Sequence, residues 1–226
     1  MFHDFLNLLF PRFCHGCSKE LLANEKIICT LCLHELPLTL SHKERENVSK
    51  KVFYGRVNIE NAVSFLVFEK KGTVQKLIHD LKYKGYQEIG GFFGRWLGNE
   101  IREQKNFKNI TAVVPVPLHK TKLRKRGYNQ VERFGREIAR ILEVPYVDTV
   151  LVKKTSTKTQ TIKKRFARWG SMEETFMIEN PQILEHHHVL LVDDLVTTGA
   201  TLEACALNLL KISGTKVSIA TMAIAS

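Results

Sequence analysis

Residues 186–202 read HHHVLLVDDLVTTGATL, and this stretch decides the fold. The apolar run at 189–192 predicts a buried strand, and the apolar spacing over 201–212 predicts a helix directly after it. Two adjacent carboxylates, Asp193 and Asp194, follow the strand, and a turn of small residues leads into the helix. In an open α/β sheet, ligands bind beyond the carboxyl ends of the strands. The stretch therefore predicts a binding site at that edge of a sheet.

The turn at 197–201 has the chemistry of a phosphate site. The free N–H groups of a helix N-terminus and the positive end of the helix dipole attract an anion. The hydroxyls of the turn add donors, and its glycine lets the backbone approach a ligand closely. Two carboxylates would repel a phosphate, but they suit sugar hydroxyls or Mg²⁺, so a phosphorylated sugar fits both halves. The predicted phosphate contacts are Thr197, Thr198, Gly199, Ala200 and Thr201, and the predicted catalytic contacts to ribose are Asp193 and Asp194.

Apolar strands alternate with helical patterns along most of the chain, which predicts an α/β fold with a parallel sheet flanked by helices. The glycines of GGFFGRWLG (90–98) predict close packing of one helix against a neighbour. We expect a cysteine-rich module at 1–40, a polar linker at 41–60 and the α/β domain at 61–226. The predicted strands are 63–68, 110–117, 144–152, 176–178, 189–192 and 216–225, and the predicted helices are 73–83, 87–104, 123–142 and 201–212.

Four of the five cysteines form two pairs, CHGC at 14–17 and CTLC at 29–32. A doubled CxxC pair in a chain without a secretion signal favours a metal over disulfides, and four thiolates make a closed, structural Zn²⁺ site. A redox pair, or a site in which His15 or His34 replaces one sulfur, is the alternative. Cys205 lies in an apolar helix pattern and is predicted to be a buried small residue. The predicted zinc ligands are Cys14, Cys17, Cys29 and Cys32.

The chain is basic, with 34 Lys and Arg against 23 Asp and Glu, a net charge of +11. Such a charge favours polyanionic partners such as nucleic acid. The segments 119–140 and 151–170 together hold 15 of the basic residues, eight and seven respectively. The start, MFHDFLNLLFP, has neither the basic residues nor the cleavage site of a signal peptide, so it predicts a short packing helix and a cytoplasmic chain. No apolar run reaches the length of a membrane span.

LLVDDLVTTGATL resembles the phosphoribosyl-pyrophosphate (PRPP) motif of type I phosphoribosyltransferases. In that family the acidic pair meets the ribose hydroxyls, Mg²⁺ accompanies PRPP, and the turn cradles the 5-phosphate. A second segment, VVPVPLHKTKLRKRGYNQ (113–130), is similar at its strand end to the family's pyrophosphate loop, whose backbone often takes a strained or cis peptide. The resemblance implies pyrophosphate contacts at Val116, Pro117, His119 and Lys120.

Together with the doubled CxxC, these motifs are similar to the ComF family, which is associated with DNA uptake in natural competence. The PVPLH segment stands here at 115–119, and RKRGYNQ at 124–130 has the family's arginine-rich form. The VDD and TTG parts of the acidic motif fall within 192–199, and a loop with Thr, Gln and Arg lies at 157–165. The resemblance spans almost the whole chain. One departure is KKTSTKTQ (153–160), where the family commonly has an arginine ahead of its glutamine.

The basic loop at 151–170 has three interpretations. It resembles the lid that closes over the leaving pyrophosphate in type I enzymes. It also suits single-stranded DNA, because aromatic side chains such as Tyr128, Phe166 and Trp169 stack on any base. A plain solvated loop is the third interpretation. The predicted nucleic-acid contacts are Lys122, Arg124, Lys125, Arg126, Lys163, Lys164 and Arg165.

The motifs leave three functions open. The favoured one is a protein that binds PRPP and Mg²⁺ and takes part in DNA uptake by binding single-stranded DNA, together with partners of the uptake machinery. The alternative is an active phosphoribosyltransferase of nucleotide metabolism that transfers ribose 5-phosphate to an unidentified base or amine, with His119 as a possible proton donor. A pure scaffold is disfavoured, because the acidic motif is intact. Fold alone does not separate these functions.

Overall fold

The computed structural model describes residues 11–40, 47–153 and 175–225. Its strands are β1 (Ala62–Phe68), β2 (Ala112–Pro115), β3 (Leu151–Lys153), β4 (Phe176–Ile178), β5 (His188–Val196) and β6 (Lys216–Ala225). A four-stranded parallel sheet has the order β1-β6-β5-β2, and β3 pairs antiparallel with β4. The predicted N-terminal helix, part of the predicted linker and the basic loop beyond Lys153 lie outside these residues.

Seven α-helices lie in the described ranges. They are α1 (Thr30–His34), α2 (Val48–Lys51), α3 (Thr73–Tyr83), α4 (Glu88–Arg102), α5 (Lys120–Arg126), α6 (Glu132–Leu142) and α7 (Ala200–Leu209). Two short 3₁₀ turns, Lys105–Phe107 and Pro181–Ile183, complete the regular structure there. In this part of the chain, no helix combines the length and the apolar character that crossing a bilayer requires.

The sheet separates two apolar cores because successive side chains of a strand point to opposite faces. Along β5, Leu190 and Val192 lie in the first core, whereas Val189 and Leu191 lie in the second. Helices α3, α4 and α6 cover the first core, and α7 with the β3–β4 pair covers the second. Both faces are therefore buried, which explains why β5 and β6 have nearly continuous apolar sequences.

The cysteine-rich segment packs on the first core rather than standing apart from it. Cys14, Leu21 and Ile28 belong to the same buried cluster as the helices α3 and α4. The following residues pair antiparallel with β1, since Thr39 N–H donates to the Phe65 carbonyl at 3.0 Å. This short pairing covers the outer edge of the sheet, where an open strand would otherwise expose its backbone groups.

The glycines of α4 allow the close packing predicted for them. A side chain at Gly94 would come within 2.4 Å of the Phe134 carbonyl oxygen on α6, and one at Gly98 would meet Ile141 at 3.0 Å. The two helices therefore approach through their backbones, which fixes α6 beside β2 and thereby places the segment between β2 and α6.

Three predicted elements differ most from the structure. The single helix predicted at 123–142 is wrong: α5 ends at Arg126, the following Gly127 takes a left-handed φ of 81°, and α6 begins at Glu132. The strand predicted at 144–152 is reduced to one bridge at Tyr146 and to β3. The predicted strand 189–192 runs longer, because β5 keeps its pairing with β6 through Val196.

Candidate functional site

The acidic pair lies inside β5, near its carboxyl end, rather than after it. Asp193 is in register with Thr221 of β6, and the pairing continues to Val196. The alternation of the strand continues through the pair, so Asp193 shares the face of the second core and Asp194 shares the face of the first. The two carboxylates therefore meet different neighbours on the two sides of the sheet.

Asp194 is buried and only half satisfied. Its Oδ1 accepts from the Lys82 ammonium of α3 at 2.7 Å, and its side chain is 6% exposed. Its Oδ2 is buried and has no hydrogen-bond partner, the one such side-chain atom among the described residues. Leaving a buried polar atom unpaired costs about 1–3 kcal/mol. An oxygen in this state is a suitable acceptor for a sugar hydroxyl and a suitable ligand for Mg²⁺.

Asp193 faces the second core, and charges of both signs lie near it. Burial, together with the nearby charge of Asp194, raises the pKa of Asp193 to about 8. The Asp194 N–H, which donates to Asp193 Oδ1 at 2.8 Å, and the ammonium groups of Lys82 and Lys153 act in the opposite direction. Burial lowers the pKa of Lys153. Asp194 thus has Lys82 on its side of the sheet, and Asp193 has Lys153 on the other. A divalent cation beside the two carboxyl groups would favour the state in which both are ionised.

The turn that follows β5 leads directly into α7. Gly199 has a left-handed φ of 75°, and a side chain there would come within 2.7 Å of Val52. The turn and the start of α7 enclose a small cavity of about 50 Å³ beside Asp193. The first N–H groups of a helix have no intrahelical partner, so they are free to bind an anion in this cavity. Of the predicted phosphate contacts, Thr197 and Thr198 are exposed, Ala200 and Thr201 are half-buried, and Gly199 is buried.

Arg56 holds this turn from outside, and sequence reasoning missed it. Its Nη1 donates to the Thr198 carbonyl at 2.6 Å, and its Nη2 forms an ion pair with Glu203 of α7. The contacts join positions 142 and 147 residues apart, and Arg56 lies in the segment predicted as a linker. The sequence contains no signal for this arginine, because the contact exists only after the chain has folded.

The predicted pyrophosphate segment begins beside the acidic strand. Val116 N–H donates to the Val192 carbonyl at 2.9 Å, so the segment leaves β2 directly next to the acidic pair. Val116 is buried, Pro117 is half-buried and Lys120 is exposed. His119 precedes α5, and its Nδ1 accepts from Thr121 N–H at 3.2 Å. This contact caps the helix, which is a structural role for His119. All peptide bonds in the described residues are trans.

A basic cavity of about 350 Å³ lies beyond Lys82. Of the predicted nucleic-acid contacts, Lys122, Lys125 and Arg126 of α5 line it, and Arg124 is exposed on the same helix without lining it. Lys163, Lys164 and Arg165 lie outside the described residues. The remaining lining residues are Lys82, Tyr83, Gly85 and Tyr128. Because Lys82 also contacts Asp194, the cavity adjoins the acidic pair.

The four predicted zinc ligands come together. The sulfurs of Cys14, Cys17, Cys29 and Cys32 all lie within 4.8 Å of one another. A tetrahedral site with Zn–S bonds of about 2.3 Å places its sulfurs ~3.8 Å apart, and the Cys17 and Cys29 sulfurs are 3.7 Å apart. Backbone N–H groups of Gly16, Cys17 and Cys29 donate to the Cys14 sulfur. This donor set fits a structural Zn²⁺ ion.

Local contacts favour the thiolate form of Cys14, whereas burial raises the pKa of Cys32. Burial raises the pKa of Cys14, but the three N–H donors outweigh it and lower the pKa to about 7. His15 is directed away from the cluster, since it lies 3.8 Å from Glu88 and its ring is 4.3 Å from that of Tyr86. Among the described residues, the group of metal-binding side chains contains neither His15 nor His34. Cys205 is fully buried in α7, as predicted.

Comparison with known families identifies the class of this fold and site. Residues 132–225 match the model of the phosphoribosyl transferase domain. This match covers α6, β3, β4, β5 with the acidic pair, the turn at 197–199, α7 and β6. The predicted fold class is confirmed: the chain has a parallel sheet flanked by helices, similar to the phosphoribosyl transferase domain, with a small N-terminal cysteine module.

The chain is also a relative of named competence and DNA utilization proteins. It is 25% identical over 215 residues to competence protein F of Haemophilus influenzae, with 91% of this chain and 87% of that protein covered. It is 27% identical over 210 residues to DNA utilization protein YhgH of Escherichia coli, with the same coverage. Competence protein ComFC of Bacillus subtilis is 24% identical over 208 residues, with 91% and 82% covered. The resemblance to the ComF family is thereby confirmed.

Solved structures with similar chains include an amidotransferase and a phosphoribosyltransferase. Glutamine phosphoribosylpyrophosphate amidotransferase of B. subtilis is 13% identical, with a TM-score of 0.42, and the match covers 64% of this chain and 30% of the amidotransferase chain. Adenine phosphoribosyltransferase of Leishmania tarentolae is 14% identical, covers 73% and 92%, and has a TM-score of 0.40.

Proposed function

We propose that residues 193–201 bind PRPP or a related 5-phosphoribosyl ligand together with Mg²⁺. The observation that supports this most directly is the unpaired, buried Oδ2 of Asp194, the residue next to Asp193, which lines the cavity at the turn. Asp193 and Asp194 would hold the ribose hydroxyls and the ion, and the start of α7 would hold the 5-phosphate. Mg²⁺ would supply positive charge against the ligand's pyrophosphate.

Calorimetric titration with PRPP and Mg²⁺ tests this ligand. The double variant Asp193→Asn and Asp194→Asn keeps the size of both side chains, and we expect it to lose binding while remaining folded. Asp148→Asn is a matched control, because Asp148 is a partly exposed acid paired with Arg136. Unchanged PRPP affinity in the double variant would contradict the proposal.

The favoured biological role is DNA uptake through direct binding of single-stranded DNA, with partners in the uptake machinery. The names of the relatives refer to competence and DNA utilization. The basic cavity adds a physical reason, since Lys122, Lys125 and Arg126 stand together on one short helix without a carboxylate among the lining residues. We include Arg124, Lys163, Lys164 and Arg165 in this surface as part of the proposal, on the charge pattern of the sequence.

Fluorescence anisotropy with a labelled oligonucleotide tests DNA binding. Affinity should fall steeply with salt, because each neutralised phosphate of a single strand releases about 0.7 of a counterion. Binding should show little sequence preference. Charge reversal at Lys163, Lys164 and Arg165 should lower the salt slope in proportion to the number of phosphates that these three side chains neutralise. PRPP and DNA should compete, since both draw on the same cations. No binding at low salt would refute the DNA role and favour an enzyme.

The alternative function is an active phosphoribosyltransferase that displaces pyrophosphate from PRPP with a base or amine. The same acidic pair and phosphate turn would hold the ribose 5-phosphate in that reaction, and residues 116–120 would meet the pyrophosphate. The helix cap at His119 disfavours that residue as a free proton donor. A pyrophosphate-release assay with PRPP, Mg²⁺ and a panel of bases separates the two functions, because binding without turnover excludes the enzyme for every acceptor in the panel.

The cysteine cluster is proposed to hold one structural Zn²⁺ in a cytoplasmic protein. The support is the set of four close, unbridged thiols, which suits a reducing compartment. The division into a module at 1–40, a linker at 41–60 and the main domain at 61–226 is likewise a proposal. A truncated chain that begins at residue 47 tests this division. A main domain that folds independently would remain folded in the truncated chain. Because the cysteine module and the main domain share the first core, we expect the truncated chain to be less stable than the full chain.

A further inference from the structure

The basic cavity has an excess of positive charge that the protein itself does not neutralise. Lys82 is paired with Asp194 at 2.7 Å. In the described part of the chain, Lys122, Lys125 and Arg126 take part in no ion pair, and the side chain to which Arg126 donates a hydrogen bond is the neutral amide of Gln130. Three unneutralised cations around one cavity create a positive potential that suits a phosphate.

The same cavity has an exposed aromatic wall. Tyr83, the last residue of α3, is 68% exposed, although a tyrosine ring is a large apolar surface. Its ring lies 5.4 Å from the Arg126 guanidinium and 5.0 Å from the ring of His79. The ring of Tyr83 therefore contributes little to the packing of the apolar core. An exposed ring beside cations is the arrangement in which proteins stack a base and hold its phosphate.

Tyr128, the other aromatic residue of the cavity, is held by the protein. Its hydroxyl donates to the Leu81 carbonyl, and burial raises its pKa. Tyr128 follows Gly127, whose left-handed φ of 81° turns the chain back toward α3 at the end of α5. This contact joins α3 to the end of α5 and keeps the two walls of the cavity together. Tyr128 therefore positions the cavity, and Tyr83 is its exposed aromatic surface.

The dimensions of the cavity suit one nucleotide unit. Its volume of about 350 Å³ is at the lower end of the range of small-molecule sites, ~300–1,000 Å³. Gly85 also lines it, with a left-handed φ of 84°, and apart from its chain neighbours no atom lies within 4 Å of where a side chain would stand. A nucleotide carries its base next to its own phosphate, so one unit can contact the ring of Tyr83 and the cations of α5 together.

We propose that this cavity binds one nucleotide of a single strand, with its base stacked on Tyr83 and its phosphate on Lys122, Lys125 and Arg126. The inference rests on the proposed DNA binding and deepens it by naming the site and the stacking residue. The strand is single because a base in a duplex is already paired and stacked, and its face is not available to a side chain. Stacking on one ring is tolerant of sequence, since every base has a π-face.

The test compares Tyr83→Ala with Tyr83→Phe by fluorescence anisotropy, using oligo(dT) and an abasic strand of the same length. Tyr83→Phe retains the ring and should bind oligo(dT) like the parent. Tyr83→Ala should weaken oligo(dT) binding by about 5- to 150-fold, the effect of one lost stacked base, and should leave binding of the abasic strand unchanged. Tyr54→Ala is the matched control, because Tyr54 is 61% exposed and lines a different cavity.

Each outcome separates the site from the wider proposal. If the parent binds oligo(dT) and Tyr83→Ala binds it equally well, DNA binding stands and the stacking site is refuted. If the parent does not bind oligo(dT), the DNA role itself fails. If Tyr83→Ala loses PRPP binding and keeps oligo(dT) binding, the cavity belongs to the phosphoribosyl site and the inference is overturned. Equal melting temperatures of Tyr83→Phe and Tyr83→Ala verify that the fold is intact.

Discussion

Replacing Lys82 by Met should strongly lower the free energy of unfolding of the ligand-free protein, although the two side chains are similar in length. The variant keeps the length of the side chain but leaves Asp194, 6% exposed, without its only ion-pair partner in the described residues. Removing one partner of a fully buried ion pair costs about 3–5 kcal/mol. Lys82 is 21% exposed, so water partly replaces it and we expect ~2–3 kcal/mol. For a chain of this length, each kcal/mol shifts the melting temperature by about 2–4 °C.

The assay is a double-mutant cycle measured by urea denaturation. Asp194→Asn alone should cost less than Lys82→Met, because a freed lysine reaches water more easily than a freed buried carboxylate. The double variant Lys82→Met, Asp194→Asn should therefore be more stable than Lys82→Met alone. Lys84→Met provides a comparison, since Lys84 also pairs with a buried acid, Asp80 at 2.9 Å, but is 52% exposed. Its effect should be smaller.

Two results would refute this reasoning. A loss below about 0.5 kcal/mol for Lys82→Met would mean that the pair behaves as a surface ion pair, whose usual contribution is about 0–1 kcal/mol. A double variant that is as unstable as the sum of the single variants would mean that Lys82 and Asp194 are not energetically coupled. Either result would also remove the argument that Asp194 is a buried, incompletely satisfied carboxylate.

Burial raises the pKa of Asp193 to about 8 from 3.8, so the folded chain binds this proton more tightly than the unfolded chain does. The free energy of unfolding should fall as pH rises from about 4 through 8 in the absence of Mg²⁺, and Asp193→Asn should flatten that slope in urea denaturation. Metal analysis should find about one zinc per chain and should find it lost in Cys17→Ser, while a folded, metal-free preparation would contradict the zinc site. Gly199→Ala should lower PRPP affinity and cost about 1–2 kcal/mol of stability, because φ there is left-handed and the new methyl meets Val52. Arg56→Ala should weaken PRPP binding because it loosens the turn, and Arg56→Lys should bind PRPP little better than Arg56→Ala. Equal PRPP affinity of the parent and both variants in calorimetry would show that the turn does not depend on Arg56.

The sequence was informative wherever a function depends on neighbouring residues in the chain. The acidic pair, the turn and the start of α7 are contiguous, and a helix N-terminus after a strand has the same chemistry in any α/β sheet. The doubled CxxC was informative for the same reason, since each tight turn brings two of its own sulfurs together. Period and apolar content also located α3, β4 and β6 with the bounds that the structure has.

The two wrong elements have different physical causes. Apolar spacing continues across 123–142, so the pattern predicted one helix, but Gly127 adopts a left-handed conformation that a helix cannot include. The apolar segment at 144–152 predicted a strand, but only Tyr146 and β3 found partners. Local pattern predicts which residues are able to pair, and only the folded sheet determines which of them do.

By itself, the sequence determined the fold class and the cysteine cluster, and it predicted both the acidic pair and the turn that we propose to bind phosphate. The tertiary structure alone decided which distant side chains complete that site. Lys82 reaches Asp194 from α3, Arg56 reaches the Thr198 carbonyl, and Tyr83 faces the cations of α5. These residues are separated from their partners by dozens of positions or more, and a single lysine, arginine or tyrosine has no local pattern that distinguishes it from its neighbours. Their roles arise because helix packing on a parallel sheet brings remote segments to one edge.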